Sequence, residues 1–263
     1  MTVLSIDTSG KYASAAILKT TTERHYSFAA KSQKDLSLHS MQTTTKTTAQ
    51  MLQEEPDGEH ISVIGEVSLN AKFGEKEYTH SEVLMPVVSQ LFELTGMKPE
   101  DVNLVAYTCG PGSFTGLRVG ASSALGIAYA LHIPSVAIPT LDALAYNMYG
   151  TAFDGMVCPM LDARRNQVYT ASYSGGLSRV TKYEALTVQE LVFKEKTLVL
   201  GDGAYAYRHL LEVLPNVYFA GENQNFIRAS SVGICAIKNP HLNEGNPMIY
   251  VRQPQAVREK NVG

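Results

Sequence analysis

The chain has 263 residues, 44% of them apolar and only 18% charged, so it is long enough for two lobes and too apolar for wholesale disorder. Twenty-two Lys and Arg against 25 Asp and Glu give a formal charge of -3, which argues against the broad positive field of a stand-alone nucleic-acid-binding protein. The three cysteines have no CxxC spacing, so we expect neither a disulfide framework nor a zinc site. Without a signal-type segment or a run of about 18 to 20 apolar residues, the sequence predicts a cytoplasmic protein with no membrane contact.

The N-terminal segment predicts a β-hairpin followed by an insertion. An apolar run at residues 3–6 ends at Asp7-Thr8-Ser9-Gly10, and small and apolar residues return at residues 12–18. From Thr20 to about His60 the chain is rich in Thr, Lys and Gln and has few large apolar side chains, which predicts a surface insertion without a core of its own. A third strand is expected at residues 66–71.

The first strong helix signal follows this strand. Thr79-His80-Ser81-Glu82 has the spacing of a capping box, so a helix should begin there, and Pro86 should bend it. The helix carries two adjacent apolar rows, and together they are wider than a single-sided surface helix requires. The rows are Val83, Val87, Leu91 and Leu94 on one side and Leu84, Val88 and Phe92 on the other.

The remainder of the first half alternates strands and helices. A strand is expected at residues 102–109, then the glycine turn Gly110-Pro111-Gly112-Ser113 and a helix at residues 114–131. Another strand at residues 136–138 and a helix at residues 141–149 complete the order β-β-β-α-β-α-β-α. This alternation predicts an α/β sheet.

The second half repeats the outline of the first. Its first strand ends at Asp162, as the first strand of the chain ends at Asp7, and a later strand leads into the turn Gly201-Asp202-Gly203-Ala204. The expected elements are strands at residues 156–161, 167–173 and 197–200 and a helix at residues 205–213. The sequence therefore predicts two similar α/β lobes, residues 1–150 and 151–263, facing each other across a cleft that suits a nucleotide or a phosphate.

The glycine-rich segment from Gly110 to Gly120 does not match the known phosphate-binding motifs. Gly110 and Gly116 have the wrong spacing for a P-loop, and Thr115 occupies the place of the third glycine of a dinucleotide-binding turn. What remains is a strand-to-helix turn. Its free amides and the helix N-terminus either contact an anion or serve only to turn the chain.

The helix after this turn carries small residues at a four-residue interval. Gly116, Gly120, Ala124 and Ala128 therefore share one face, although the two interior glycines each cost about 1 kcal/mol relative to Ala. Such a smooth stripe either packs within the lobe or receives a helix of another chain. The wide apolar face of the preceding helix favours docking of another chain.

Several charged residues also have two interpretations. His80 has no second His at metal-binding spacing, so it does not make a metal site. Asp7 and Asp162 form either a magnesium-binding or acid–base pair or two ordinary strand ends. Arg164 and Arg165 either contact phosphate or belong to a solvated turn.

Five segments in this order resemble the TsaB (YeaZ) family, the dimerisation subunits of the bacterial tRNA threonylcarbamoyladenosine complex. The long string from Gly110 to Arg118 is the most specific of them, and the resemblance spans nearly the whole chain except the segment from Thr20 to His60. The five segments are Ile6-Asp7-Thr8-Ser9, Thr79-His80-Ser81-Glu82, Gly110-Pro111-Gly112-Ser113-Phe114-Thr115-Gly116-Leu117-Arg118, Asp162-Ala163-Arg164-Arg165, and the tail Tyr250-Val251-Arg252 with Gln255-Ala256-Val257-Arg258-Glu259.

The resemblance implies an actin-like and Hsp70-like ATPase fold, that is, the duplicated ribonuclease H-like ASKHA fold. It also implies a non-catalytic role beside the catalytic subunit TsaD, which transfers a threonylcarbamoyl group to N6 of adenosine 37 in tRNAs that read codons starting with A. The ATPase TsaE would be a third partner, tRNA would be reached only through the complex, and a homodimer remains open. The alternative is an active ATP-dependent kinase or transferase of the same fold.

The resemblance further implies a degenerate nucleotide cleft. Ala163, Arg164 and Arg165 follow the second-lobe Asp where active ATPases of this fold have a glycine pair, and His80 stands alone where TsaD has two metal-binding histidines. We therefore expect no catalytic residue, no metal and no required cofactor, with weak nucleotide binding left open. The cleft residues would be Asp7, Thr8, Ser9, Gly110, Gly112 and Ser113. The expected partner interface is His80, Leu84, Val88, Leu91, Gly116, Arg118, Gly120, Ala124 and Ala128.

Overall fold

The computed structural model describes residues 1–21, 60–73, 76–240 and 248–251. Nearly all of the expected insertion and the C-terminal motif beyond Val251 lie outside these residues. The described chain forms two five-stranded sheets whose strands follow the same order, with the first strand of each half in the middle of its sheet. The fold is therefore the duplicated α/β architecture that the sequence predicts, and it is of the ASKHA type that the resemblance implies.

The first sheet contains β1 to β3, β6 and β7, in the spatial order β3-β2-β1-β6-β7. The strands of this half are β1 (Thr2–Asp7), β2 (Tyr12–Thr20), β3 (Ile61–Asn70), the short pair β4 (Lys72–Phe73) and β5 (Lys76–Glu77), β6 (Leu104–Thr108) and β7 (Ser135–Ile138). The helices are α1 (His80–Thr95), α2 (Phe114–Leu131) and α3 (Thr140–Ala145), with single helical turns at Pro99–Asp101 and Tyr146–Met148. The predicted order of elements is confirmed, although β3 begins at Ile61 rather than at Glu66.

The central position of β1 explains its composition. It pairs antiparallel with β2 and parallel with β6, and all six of its residues are buried. Leu4 and Ile6 pack on the α1–α2 side of the sheet, whereas Val3 packs on the opposite side. A strand covered on both faces requires such an apolar run, and Asp7 becomes its buried last residue.

The predicted start of α1 is confirmed by its N-terminal contacts. The Thr79 N–H donates to Glu82 Oε2 at 2.7 Å, which is the reciprocal bond of a capping box. The helix runs without interruption through Pro86 to Thr95 and is capped by Gly96, whose φ of 65° is the left-handed conformation that glycine adopts most readily.

The second sheet has the order β10-β9-β8-β11-β12. Its strands are β8 (Met156–Asp162), β9 (Gln167–Thr170), β10 (Glu184–Thr187), β11 (Thr197–Leu200) and β12 (Val217–Phe219). The helices of this half are α4 (Asp202–Ala206), α5 (Arg208–Leu211) and α6 (Ala229–Lys238), with single helical turns at Val188–Glu190 and Glu222–Gln224. The single helix predicted at residues 205–213 is wrong, because the chain breaks at Tyr207 (φ -109°, ψ 23°) into α4 and α5.

Two helices cross between the halves and give them a shared core. The α6 helix, from the second half, packs on β1 and β2, and Ser5 Oγ donates to the Ala229 carbonyl oxygen at 2.6 Å. The α3 helix, from the first half, packs on β8 of the second sheet. Its buried Asp142 accepts hydrogen bonds from the hydroxyls of Tyr173 and Tyr183. The predicted boundary at residue 150 therefore separates the strands of the two sheets, while the core extends across it.

Within the described ranges, no helix has both the length and the apolar character needed to cross a bilayer.

Candidate functional site

The cleft between the lobes contains two adjacent cavities. The larger, about 650 Å³, lies between the two hairpin turns and the glycine turn, and we call it the hairpin cavity. The smaller, about 350 Å³, lies between the start of β2 and the segment before α6, and we call it the aromatic cavity. The hairpin cavity is lined by Ser9, Gly10, Lys11, Ala71, Tyr78, His80, Gly112, Ser113, Phe114, Leu161, Asp162, Ala163, Arg164, Tyr169 and Asp202.

Asp7 lies at the floor of the cleft with only 1% of its surface exposed. Its Oδ1 atom accepts three hydrogen bonds, from the Ser9 amide at 3.1 Å, the Ser9 hydroxyl at 2.6 Å and the Thr108 hydroxyl at 2.7 Å. Burial raises the pKa of Asp7, and the bonds from Ser9 and Thr108 oppose that rise. The predicted Asp7 position is therefore a structural junction between β1 and β6 as well as part of the cleft wall.

The glycine turn uses much of its hydrogen-bonding capacity within the protein. The Gly110 amide donates to Thr140 Oγ1 at 3.1 Å, and the Ser113 amide donates to the Ser9 carbonyl at 2.7 Å. A Cβ on Gly112 would lie 2.6 Å from the Ser9 carbonyl oxygen, so only glycine allows the two turns to approach this closely. These contacts favour the structural interpretation of the turn over direct phosphate contact by these two amides.

The turn after β8 is closed by its own arginine. Asp162 Oδ1 accepts a bond from the Arg164 amide at 2.8 Å, and Oδ2 forms an ion pair of 3.0 Å with the exposed Arg164 guanidinium. Arg164, Arg165 and Asn166 all have positive φ, between 56° and 63°, which is uncommon for residues with a side chain. Arg164 is therefore paired with a carboxylate beside the hairpin cavity.

His80 contributes a polar contact to the cleft. Its Nε2 atom lies 3.0 Å from the Gly10 carbonyl oxygen, which joins the start of α1 to the first hairpin turn. Within the part of the chain that the structure describes, no three His, Cys, Asp or Glu side chains are grouped so that they could hold a metal ion.

The predicted docking stripe on α2 faces inward, so this prediction is wrong. A Cβ on Gly116 would lie 2.0 Å from the Thr8 carbonyl oxygen, and a Cβ on Gly120 would lie 2.3 Å from Thr8 Oγ1. Ala124 and Ala128 are buried in the core beneath the first sheet. The small residues are therefore needed because α2 passes close to the end of β1, and they offer no surface to another chain.

The three α1 residues assigned to the interface are also buried, and that assignment is wrong for the same reason. Leu84, Val88 and Leu91 are at most 4% exposed and pack in the same core as the small face of α2. The smooth or aliphatic sides of both helices face the first sheet, with α1 packed on β2 and β3 and α2 packed on β6 and β1. The other two interface residues, His80 and Arg118, retain exposed surface, and their role stays a prediction.

The outward sides of α1 and α2 carry large apolar side chains that the sequence interpretation did not select. Arg118 stacks over the Phe114 ring at 3.6 Å, and the Phe114 ring lies 5.4 Å from that of Tyr250. We call the exposed set Met85, Phe114, Leu125 and Tyr129 the outer helix face; their exposed fractions range from 37% to 76%. The spacing of Phe114, Leu125 and Tyr129 along one side of α2 is the signal that could have identified it.

The sequence matches a known family over more than half of its length. Residues 75–238 match the model of the family described as TsaD, tRNA N6-adenosine threonylcarbamoyltransferase. The chain is 36% identical over 141 residues to the tRNA threonylcarbamoyladenosine biosynthesis protein TsaB of Bacillus subtilis, covering 51% of this chain and 61% of that protein. It is 28% identical over 145 residues to TsaB of Escherichia coli, covering 54% of this chain and 63% of that protein. The matched stretch thus spans about six-tenths of these relatives.

Solved structures extend the similarity to the whole fold. YeaZ from Pseudomonas aeruginosa superposes with a TM-score of 0.60 over 94% of this chain and 97% of that chain, at 20% sequence identity. A second Pseudomonas aeruginosa structure, of an uncharacterised protein similar to YeaZ, gives a TM-score of 0.63 over 95% of this chain and 99% of that chain. At this identity the structural likeness shows a common fold.

Proposed function

Because this chain belongs to the TsaD family of tRNA N6-adenosine threonylcarbamoyltransferases and is similar to TsaB proteins, we propose that it is a non-catalytic subunit in tRNA threonylcarbamoyladenosine biosynthesis. It would support a TsaD-type catalytic subunit that modifies N6 of adenosine 37 in tRNAs reading codons that start with A. A TsaE-type ATPase would be the third partner. With a net charge of -3 the chain would meet tRNA only through the complex.

The observation that carries the non-catalytic assignment is the closed turn after β8. An ATPase of this fold must receive phosphate between its two hairpin turns, and here Arg164 is folded back onto Asp162 at that place. On the opposite side, the amides of Gly110 and Ser113 are bonded to protein acceptors. Both turns are stabilised by contacts within the protein, which supports a scaffold with at most weak nucleotide affinity.

The outer helix face is the surface that best suits the catalytic subunit. It places four large apolar side chains on two adjacent helices, and aromatic residues and Met are enriched at the centres of protein interfaces. The stacked side chains of Arg118, Phe114 and Tyr250 lie at the N-terminal end of α2 and add residue types that dominate interface energies. In the isolated protein, a second copy of this chain could occupy the same surface.

Reconstitution by omission tests the proposal. The protein is mixed with threonylcarbamoyl-adenylate and tRNA, with and without a TsaD-type subunit and a TsaE-type ATPase, and modified adenosine is measured by mass spectrometry. We expect product only when the TsaD-type subunit is present, and more product with this chain than without it. Modification by this chain alone would contradict the non-catalytic role, and no stimulation of the TsaD-type subunit would contradict the supporting role.

The second candidate function is that of an active kinase or transferase of the same fold, and the observation that favours it is the hairpin cavity. Its volume of about 650 Å³ lies within the usual range of small-molecule sites. The two functions differ in ATP turnover by the purified chain, measured as phosphate release. Turnover that disappears in Asp162→Asn would favour the second candidate; the scaffold proposal predicts none above background.

A further inference from the structure

The aromatic cavity lies in the cleft but differs in chemistry from the hairpin cavity. Its walls include the rings of Tyr12 and Phe226, whose centroids are 4.9 Å apart, and the buried side chains of Leu161 and Ile227. Its volume of about 350 Å³ is sufficient for a small organic molecule. The complete lining is Asp7, Gly10, Lys11, Tyr12, Asn70, Leu161, Asp202, Tyr205, Glu222, Asn225, Phe226 and Ile227.

The charged groups of this lining are mainly acidic. Asp7, Asp202 and Glu222 supply three carboxyl groups, whereas Lys11 supplies the one ammonium group. Lys11 is exposed at the rim, and Asp7 is buried at the floor. A cavity with this balance disfavours a phosphate and favours a positively charged ligand.

Asp7 has an unused carboxylate oxygen. All three hydrogen bonds that the described residues donate to Asp7 end on Oδ1, and none of these residues donates to Oδ2. A carboxylate that is 1% exposed pays a large desolvation cost unless its oxygens receive hydrogen bonds. Because Asp7 also lines the cavity, a ligand there can supply the missing donor to Oδ2.

Asp202 offers a second acceptor on the opposite lobe. Its Oδ1 accepts the amide of Asp162 at 3.0 Å, and no described residue donates to its Oδ2. Aromatic rings beside these carboxyl groups would contact the apolar part of an ammonium ligand and attract its charge through their faces. A metal ion fits less well, because among the described residues no three His, Cys, Asp or Glu side chains are grouped closely enough to hold one.

We propose that the aromatic cavity binds a small organic cation, with its ammonium group on Asp7 Oδ2 and its apolar part packed against the wall formed by Tyr12, Phe226 and Ile227. This site is independent of the proposed partner surface, which lies on α1 and α2. The ligand class is a primary amine with a short aliphatic or aromatic body.

Benzylamine and benzyl alcohol are the matched probes, because they share a ring and differ in charge. Calorimetric titration of the full chain should give saturable benzylamine binding at millimolar concentration or below, and binding of benzyl alcohol at least about tenfold weaker, which corresponds to about 1.4 kcal/mol. Equal affinity for the two probes, or no saturable binding of benzylamine, would overturn the proposal.

Variants locate the bound amine. Asp7→Asn keeps an oxygen for Ser9 and Thr108 and replaces Oδ2 by an amide group that donates, so benzylamine affinity should fall at least about tenfold. Glu100→Gln removes an exposed carboxylate outside the cavity and should leave the affinity for benzylamine unchanged. Unchanged affinity in a folded Asp7→Asn protein would overturn the proposal. If that variant does not fold, Asp202→Asn and Phe226→Leu are measured instead, and both should bind benzylamine more weakly. Parental affinity for benzylamine in both variants would overturn the proposal.

Discussion

The turns that end β1 and β8 occupy equivalent places in two sheets of identical strand order, yet they are stabilised in different ways. In the first, the short side chains of Ser9 and Thr108 donate to a buried Asp7. In the second, Asp162 remains partly exposed and pairs with Arg164, whose side chain is 80% exposed. The duplicated backbone therefore sets where a carboxylate lies, and the residues of the turn decide whether it belongs to the core or to the surface.

The largest expected effect on stability comes from the close approach of α2 to the turn that follows β1. Gly120→Leu forces a side chain into the place of Thr8 Oγ1, and overpacking of this kind costs about 1 to 3 kcal/mol. In a chain of this size the melting temperature should fall by about 2 to 4 °C for each kcal/mol. Gly126→Ala is the control, because it lies on the same helix with open space around it and should stabilise the helix by up to about 1 kcal/mol. A parental melting temperature for Gly120→Leu would contradict the inward orientation of the stripe.

Replacing Asp7 and Asp162 by alanine, one at a time, compares how much each carboxylate contributes to the stability of its turn. Asp7→Ala leaves the buried hydroxyl of Thr108 without its acceptor, so the free energy of unfolding should drop by about 1 to 3 kcal/mol in urea titrations. For Asp162→Ala we expect the smaller loss, since its ion pair involves an exposed arginine and such pairs contribute about 1 kcal/mol or less. Equal losses would show that burial does not distinguish the two turns.

The pH dependence of stability should separate the buried carboxyl groups from the exposed helix caps. Burial raises the pKa of Asp202 above its ordinary value of 3.8, with a further rise from nearby Asp162, so the folded state keeps a proton that the unfolded state has lost. Its contribution to stability therefore decreases as pH rises from 3.8 through the raised pKa. Asp202→Asn should flatten that decrease in denaturation curves measured between about pH 4 and 7.

Glu82 should show the opposite and smaller trend. The Thr79 amide, which donates to its carboxylate, lowers the pKa of Glu82 below its ordinary value of 4.5. Its contribution is therefore present above pH 4.5 and is lost as pH falls through the lowered pKa. Glu82→Gln should remove this loss at acidic pH, and an unchanged acid limb in that variant would contradict the capping contact.

The sequence predicted the elements with strong local signals and missed those that depend on distant contacts. The hairpin at Asp7, the capping box at Thr79 and the repeat of the Asp7 pattern at Asp162 are local, and all three lie where expected. The short strands β10 and β12 and the crossing helix α6 were not predicted; both strands lie at sheet edges, and α6 is placed by its contacts with β1 and β2. Such elements depend on tertiary pairing more than on their own pattern.

The error on α2 has a related cause. A four-residue interval of Gly and Ala shows that one face is smooth, but it does not say which neighbour comes close to that face. The neighbour is Thr8, more than 100 positions away from Gly116 in the chain, and its hydroxyl donates to the Gly116 carbonyl at 2.7 Å. The exposed residues Leu125 and Tyr129 lie on the other side of α2, which is the side that we propose for docking.

The most direct test of the account is the affinity of this chain for a TsaD-type subunit when the outer helix face carries a charge. Leu125→Glu lies on that face, and Val213→Glu is its control, because Val213 is exposed in the second lobe. Calorimetric titration should give at least about tenfold weaker association for Leu125→Glu, or about 1.4 kcal/mol, and parental affinity for Val213→Glu. Parental affinity for a folded Leu125→Glu protein would contradict the proposed docking of the catalytic subunit on α1 and α2.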